Sequence, residues 1–103
     1  MVKQYYECHI TINSDGSGCE GAEGDYYCKL VEDNGWIYSE INGDPDLGKG
    51  VKCYATRQFN VTKFGFDLVL ESLTNMSFLL QENDVPVVRE KVELVMYDKR
   101  YKT

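Results

Sequence analysis

Tyr5-Tyr6-Glu7-Cys8-His9-Ile10-Thr11-Ile12 is the clearest strand in the chain and carries its only histidine. Successive side chains of a strand point to opposite faces, so the stretch divides cleanly in two. Tyr6, Cys8, Ile10 and Ile12 make an apolar face suited to a core. Tyr5, Glu7, His9 and Thr11 make the opposite face, suited to a surface.

Outward from this strand, the residues from Asn13 to Gly18 have turn composition, and Ser17 is placed to cap a helix after it. From Cys19 to Asp33, Ala22, Tyr26 or Tyr27, and Leu30 recur at helical spacing, although Gly21 and Gly24 weaken a helix by about 1 kcal/mol each. Asn34-Gly35 is a helix stop, because glycine adopts the left-handed conformation that ends helices. Trp36 to Ile41 then alternates Trp36, Tyr38 and Glu40 against Ile37, Ser39 and Ile41, which reads as a second strand. A loop rich in Gly, Asp and Pro runs from Asn42 to Gly50. The third strand, Val51 to Phe59, sets Val51, Cys53, Ala55 and Phe59 against Lys52, Tyr54, Thr56 and Gln58.

Thr62 is placed to cap a second helix, whose Phe66, Val69, Leu70, Leu73, Met76, Leu79 and Leu80 form a broad apolar face before Asn83-Asp84 ends it. In the last strand Val88, Glu90, Val92, Leu94 and Met96 alternate with Arg89, Lys91, Glu93, Val95 and Tyr97, and a charged tail follows from Lys99 to Lys102. The order β-α-β-β-α-β, with short crossovers, predicts an α+β fold: a ferredoxin-like sandwich in which two helices cover one face of a four-stranded antiparallel sheet. The first and third strands should be its central neighbours. All 103 residues, 1–103, form one domain, long enough to bury roughly two-thirds of the unfolded surface without staples.

The uncovered sheet face should gather Tyr5, Glu7, His9, Thr11, Trp36, Tyr38, Glu40, Lys52, Tyr54, Thr56, Gln58, Lys91, Glu93, Val95 and Tyr97. An aromatic and polar face of this size is seldom left bare, so it should bind something or meet a second copy. The expected ligand-binding residues are Tyr5, Trp36, Tyr38, Lys52, Tyr54, Thr56, Gln58 and Lys91. The expected occupant is a protein partner or a small phosphate-containing ligand, and the protein is expected to be a homodimer.

Net charge is -6, from 11 basic and 17 acidic residues. It opposes nucleic-acid binding, whose affinity comes mainly from phosphate neutralisation, and favours a basic partner surface. Tyr5, Trp36, Tyr38, Tyr54 and Tyr97 could stack bases as RNA-recognition sheets do, but Lys52, Arg57 and Lys91 are too few to make a basic patch. The acidic run Glu20, Glu23, Asp25, Glu32 and Asp33 reads as a solvated helix face, or as a surface imitating nucleic acid in an inhibitor of nucleic-acid-binding proteins.

Cys8, Cys19, Cys28 and Cys53 lack the paired spacing of a zinc site and are expected to be free thiols; neither metal nor cofactor is expected. With no leader, and no apolar run near the roughly 20 residues that cross a bilayer, the chain is expected to be cytoplasmic. The glycosylation patterns Asn60-Val61-Thr62 and Asn75-Met76-Ser77 are then not presented to the modifying machinery. The segment from Gly43 to Gly50 imitates a phosphate-binding loop, but Gly50 replaces the magnesium-binding hydroxyl, a strand follows in place of a helix, and Asp44 and Asp46 repel phosphate.

His9 and Thr11 project side by side, where an imidazole can exchange a proton while a hydroxyl holds a phosphate oxygen. The His9-Ile10-Thr11 motif resembles one lobe of the 2H phosphoesterases, in which two such lobes share a cleft. That resemblance implies cyclic or 2′-5′ phosphodiesters as substrates, with His9 and Thr11 as catalytic residues and Lys52, Tyr54 or Lys91 orienting the phosphate. This chain has a single lobe, so the chemistry would need a two-fold dimer bringing two copies of His9 together. From the loop into Val51-Lys52-Cys53-Tyr54-Ala55-Thr56 the chain is also similar to small single-domain bacterial and phage proteins that begin with a His-x-Thr strand.

Overall fold

A computed structural model describes residues 4–12, 21–42 and 51–96. Its elements run β1 (Gln4–Ile12), α1 (Gly21–Asp33), β2 (Ile37–Asn42), β3 (Val51–Asn60), α2 (Phe66–Glu82) and β4 (Val87–Met96). The strands form one antiparallel sheet in the order β2-β3-β1-β4. This is the expected α+β arrangement, its strand order that of a ferredoxin-like sandwich, with β1 and β3 at the centre. Among the described residues the outer edges of β2 and β4 are unpaired. The turn after β1 with Ser17, the loop of residues 43–50, Tyr97 and the charged tail lie outside the described residues.

The core forms where the apolar face of β1 meets both helices. Cys8, Ile10 and Ile12 are fully buried with Ala55 and Phe59 of β3, Tyr27 and Val31 of α1, and Val69, Leu73, Met76 and Leu80 of α2. Truncating such a side chain, Ile10→Ala for instance, costs about 2 to 5 kcal/mol through lost transfer energy and an unfilled cavity.

Both helices end in the same way. After α1, the Trp36 amide donates to the Val31 carbonyl and the Gly35 amide to the Glu32 carbonyl, with Gly35 at φ 81°. After α2, the Val85 amide donates to Leu80 and the Asp84 amide to Gln81, with Asp84 at φ 61°. Each is a Schellman motif, a left-handed residue followed by an apolar one that folds back on the last helical turn. Accordingly Trp36 and Val31, and Val85 and Leu80, are all buried in the core.

The first of these stops reverses the expected faces of β2. Because Trp36 is drawn back onto α1, Tyr38 follows it to the helix side, where it pairs across with Ala55, and Ile37 pairs with Thr56 on the other face. Trp36 is 4% exposed, a core residue rather than a surface one. Glu40, opposite Cys53, also belongs to the helix side.

Three further expectations are corrected. Thr62 does not cap α2: Gly65 occupies the cap position without a side-chain bond, while Thr62 donates through its amide and its hydroxyl to Asn60 Oδ1. On α2, Phe66 and Leu70 are exposed, and Phe66 packs against the Tyr6 ring at a 5.5 Å centroid distance. Cysteine chemistry also differs, since Cys53 is disulfide-bonded while Cys8 and Cys28 are free. Cys8 is the small buried hydrophobe that its face implied, its thiol pushed up to about 11 mainly by burial. Among the described residues no helix is long and apolar enough to cross a membrane.

Candidate functional site

The sheet face away from the helices is built from cross-strand rows. One row runs Ile37, Thr56, His9, Lys91; the next toward the N-terminus of β1 runs Gln58, Glu7, Glu93. Glu7 and Glu93 are therefore directly opposite, a pairing of like charges that normally weakens a sheet. His9 lies between them: its Nε2 is 2.6 Å from Glu7 Oε1 and 3.7 Å from Glu93 Oε1. Lys91 Nζ lies 3.0 Å from the same Glu93 oxygen, and Gln58 Nε2 donates to Glu7 Oε2 at 2.9 Å.

On its other side His9 Nδ1 meets Thr56 Oγ1 at 3.2 Å. Both ring nitrogens are thus engaged, one by a hydroxyl and one by carboxylates. The bond from Lys91 holds the Glu93 carboxyl below its ordinary range against an opposing effect of burial, with the Lys91, His9 and Arg89 charges adding to the lowering. That contribution to stability is present above the ordinary carboxylate range and is lost as the pH falls through the lowered value. His9, Glu7 and Glu93 all keep part of their surface open to solvent.

Of the residues expected to form the site, Tyr5, His9, Thr56, Gln58 and Lys91 lie together on this face, with Lys52 in its β3 alternation. Trp36 and Tyr38 are on the opposite side. Tyr54 and Thr11 have the expected orientation, paired with each other, but are 5% and 2% exposed. A ligand therefore meets neither of them. The hydroxyl beside His9 is that of Thr56 from β3, not that of Thr11 two residues along its own strand. Among the described residues no group of three or more His, Cys, Asp or Glu is arranged to hold a metal ion.

Arg57, which the sequence offered only as one of three scattered basic residues and not as a site residue, has a distinct place. It sits in β3 between Ala55 and Phe59, at a position whose alternation points to the helices, and its register partner is Cys8. A charged residue interrupting an otherwise apolar face was the available signal. Its guanidinium carbon lies 4.9 Å from the Phe59 ring centre, a cation–π contact.

The chain matches no protein-family model, no curated protein and no solved structure. The likeness to a phosphoesterase lobe therefore rests on the His9-Ile10-Thr11 motif alone.

Proposed function

We propose that the protein is a binding module whose open sheet face receives a basic side chain of a protein partner between Glu7 and Glu93. The observation that carries this reading is the juxtaposition of those two carboxylates. A sheet gains nothing from opposing like charges, and such local violations of folding rules are characteristic of functional sites. An arginine or lysine head group arriving from a partner adds a second cation to the one Lys91 supplies and meets carboxylates already held in place by Gln58, His9 and Lys91. Net charge of -6 favours the same partner at long range.

A phosphate-containing ligand is supported less well on this face, because it would approach two carboxylates and an imidazole whose nitrogens are both engaged. The cysteines bear on compartment. Disulfides persist where the surroundings are oxidising, so the bonded state of Cys53 supports an oxidising location in place of the cytoplasmic one.

Selection of short peptides on the immobilised protein tests the reading. Enriched peptides should carry Arg or Lys, and should lose at least about tenfold in affinity, about 1.4 kcal/mol, on a Glu7→Gln/Glu93→Gln variant. Enriched peptides without a basic residue, or undiminished binding to the variant, would count decisively against it.

A further inference from the structure

On the helix side of the sheet, α2 and the turn after α1 leave an open surface cavity of about 240 Å³ against β3. Arg57 lines it, half-buried, and among the described residues nothing accepts a hydrogen bond from its guanidinium, which rests on the Phe59 ring and acts electrostatically on the Cys8 thiol. A guanidinium offers five donors in a fixed fork, and a half-buried one is normally matched by a carboxylate or by carbonyls. Here no acidic residue lines the cavity, in a chain of net charge -6. Ser72 and Asn75 of α2 supply further polar groups at the rim, neither of them bonded to a described residue. Trp36, Met76 and Leu79 supply an apolar wall.

We infer that this cavity binds a small molecule with an oxyanion head, a carboxylate or a phosphate ester, on a compact apolar body. The oxyanion takes the Arg57 fork, which matches two oxygens side by side, and the apolar body lies against Leu79, the apolar lining residue that keeps appreciable exposure, beside the edges of Trp36 and Met76. Size sets the class: at about 240 Å³ the cavity falls below the roughly 300 to 1,000 Å³ of sites for drug-sized ligands, so a single ring or short chain fits. This site is on the opposite side of the sheet from Glu7 and Glu93, and the two stand or fall separately.

Trp36 is the chain's only tryptophan and lines the cavity, so its fluorescence reports binding directly. Titration of the full chain with benzoate and with phenyl phosphate should give a saturable change at about 1 mM or below for at least one of them, and none for uncharged benzyl alcohol. A response to benzoate alone assigns a carboxylate head, and one to phenyl phosphate alone a phosphate. Arg57→Gln should weaken the response at least tenfold, and Arg57→Lys, which keeps the charge but loses the fork, by less. If Arg57→Gln does not fold, Asn75→Glu, exposed on α2, sets a carboxylate at the rim and should weaken binding severalfold. No saturable response to either anion, an equal response to benzyl alcohol, or unchanged binding by a folded variant overturns the inference.

Discussion

The Tyr38 hydroxyl is buried on the side of the sheet that α1 covers, with no hydrogen-bond partner among the described residues. Burial pushes it up to about 12, and the charges of Glu40, Cys28 and Tyr27 act in the same direction. A raised value favours the neutral form, so the folded state resists ionisation that the unfolded chain undergoes near its ordinary value of 10.0. Stability is then fully present below about pH 10 and falls as the pH climbs toward 12. Tyr38→Phe removes an unpaired polar atom together with that titration. The variant should match or exceed the wild type by about 1 kcal/mol in urea unfolding at neutral pH, and its stability should decline less steeply in alkali. A loss of more than about 1 kcal/mol would mean that the hydroxyl is satisfied.

At the level of elements, the two helix stops place the same demand on different residues. Gly35 adopts its left-handed conformation at no steric cost, while Asp84 in the equivalent place bears the penalty of a side chain, tempered because Asp tolerates this region better than most residues. Opposite responses follow. Asp84→Gly should stabilise by about 0.5 kcal/mol and Gly35→Ala should destabilise by about 1 kcal/mol, read as shifts in the thermal midpoint. Equal effects at both sites would show that the backbone angles do not govern them.

The same stops explain what could be read in advance. In β1 the alternation of Cys8, Ile10 and Ile12 had a single solution, and that solution, with the element order, carried the fold. In β2 every position from Trp36 to Ile41 could face inward except Ser39 and Glu40, so composition did not fix the parity. What fixed it was a pair of backbone hydrogen bonds from Gly35 and Trp36 back to α1, and these depend on helix geometry and not on strand pattern. The opposition of Glu7 and Glu93, likewise, arises from the register of β1 against β4, which neither strand specifies alone.

Across the whole molecule, the cysteines divide into one in the disulfide and two free among those described. Cys28 is half-exposed, its thiol held above the ordinary value by desolvation and by Glu32, Asp25 and Glu40, whereas Cys8 is fully buried. Iodoacetamide should therefore modify Cys28 slowly in the folded protein, Cys8 only after denaturation, and Cys53 only after reduction, as peptide mass mapping would reveal. Labelling of Cys53 in denaturant without reductant would remove the disulfide and, with it, the case for an oxidising compartment.

β4 forms one margin of the sheet, and Arg89, Glu90, Lys91 and Glu93 crowd four charges into five consecutive positions along it. An incoming strand from a neighbouring molecule would have to match that alternating sequence of signs, and an alignment one position out of step sets like charge against like. The margin thus works as a guard against runaway growth. Where a plain apolar border would recruit strand after strand into fibrils, this one should let the protein be concentrated as discrete particles.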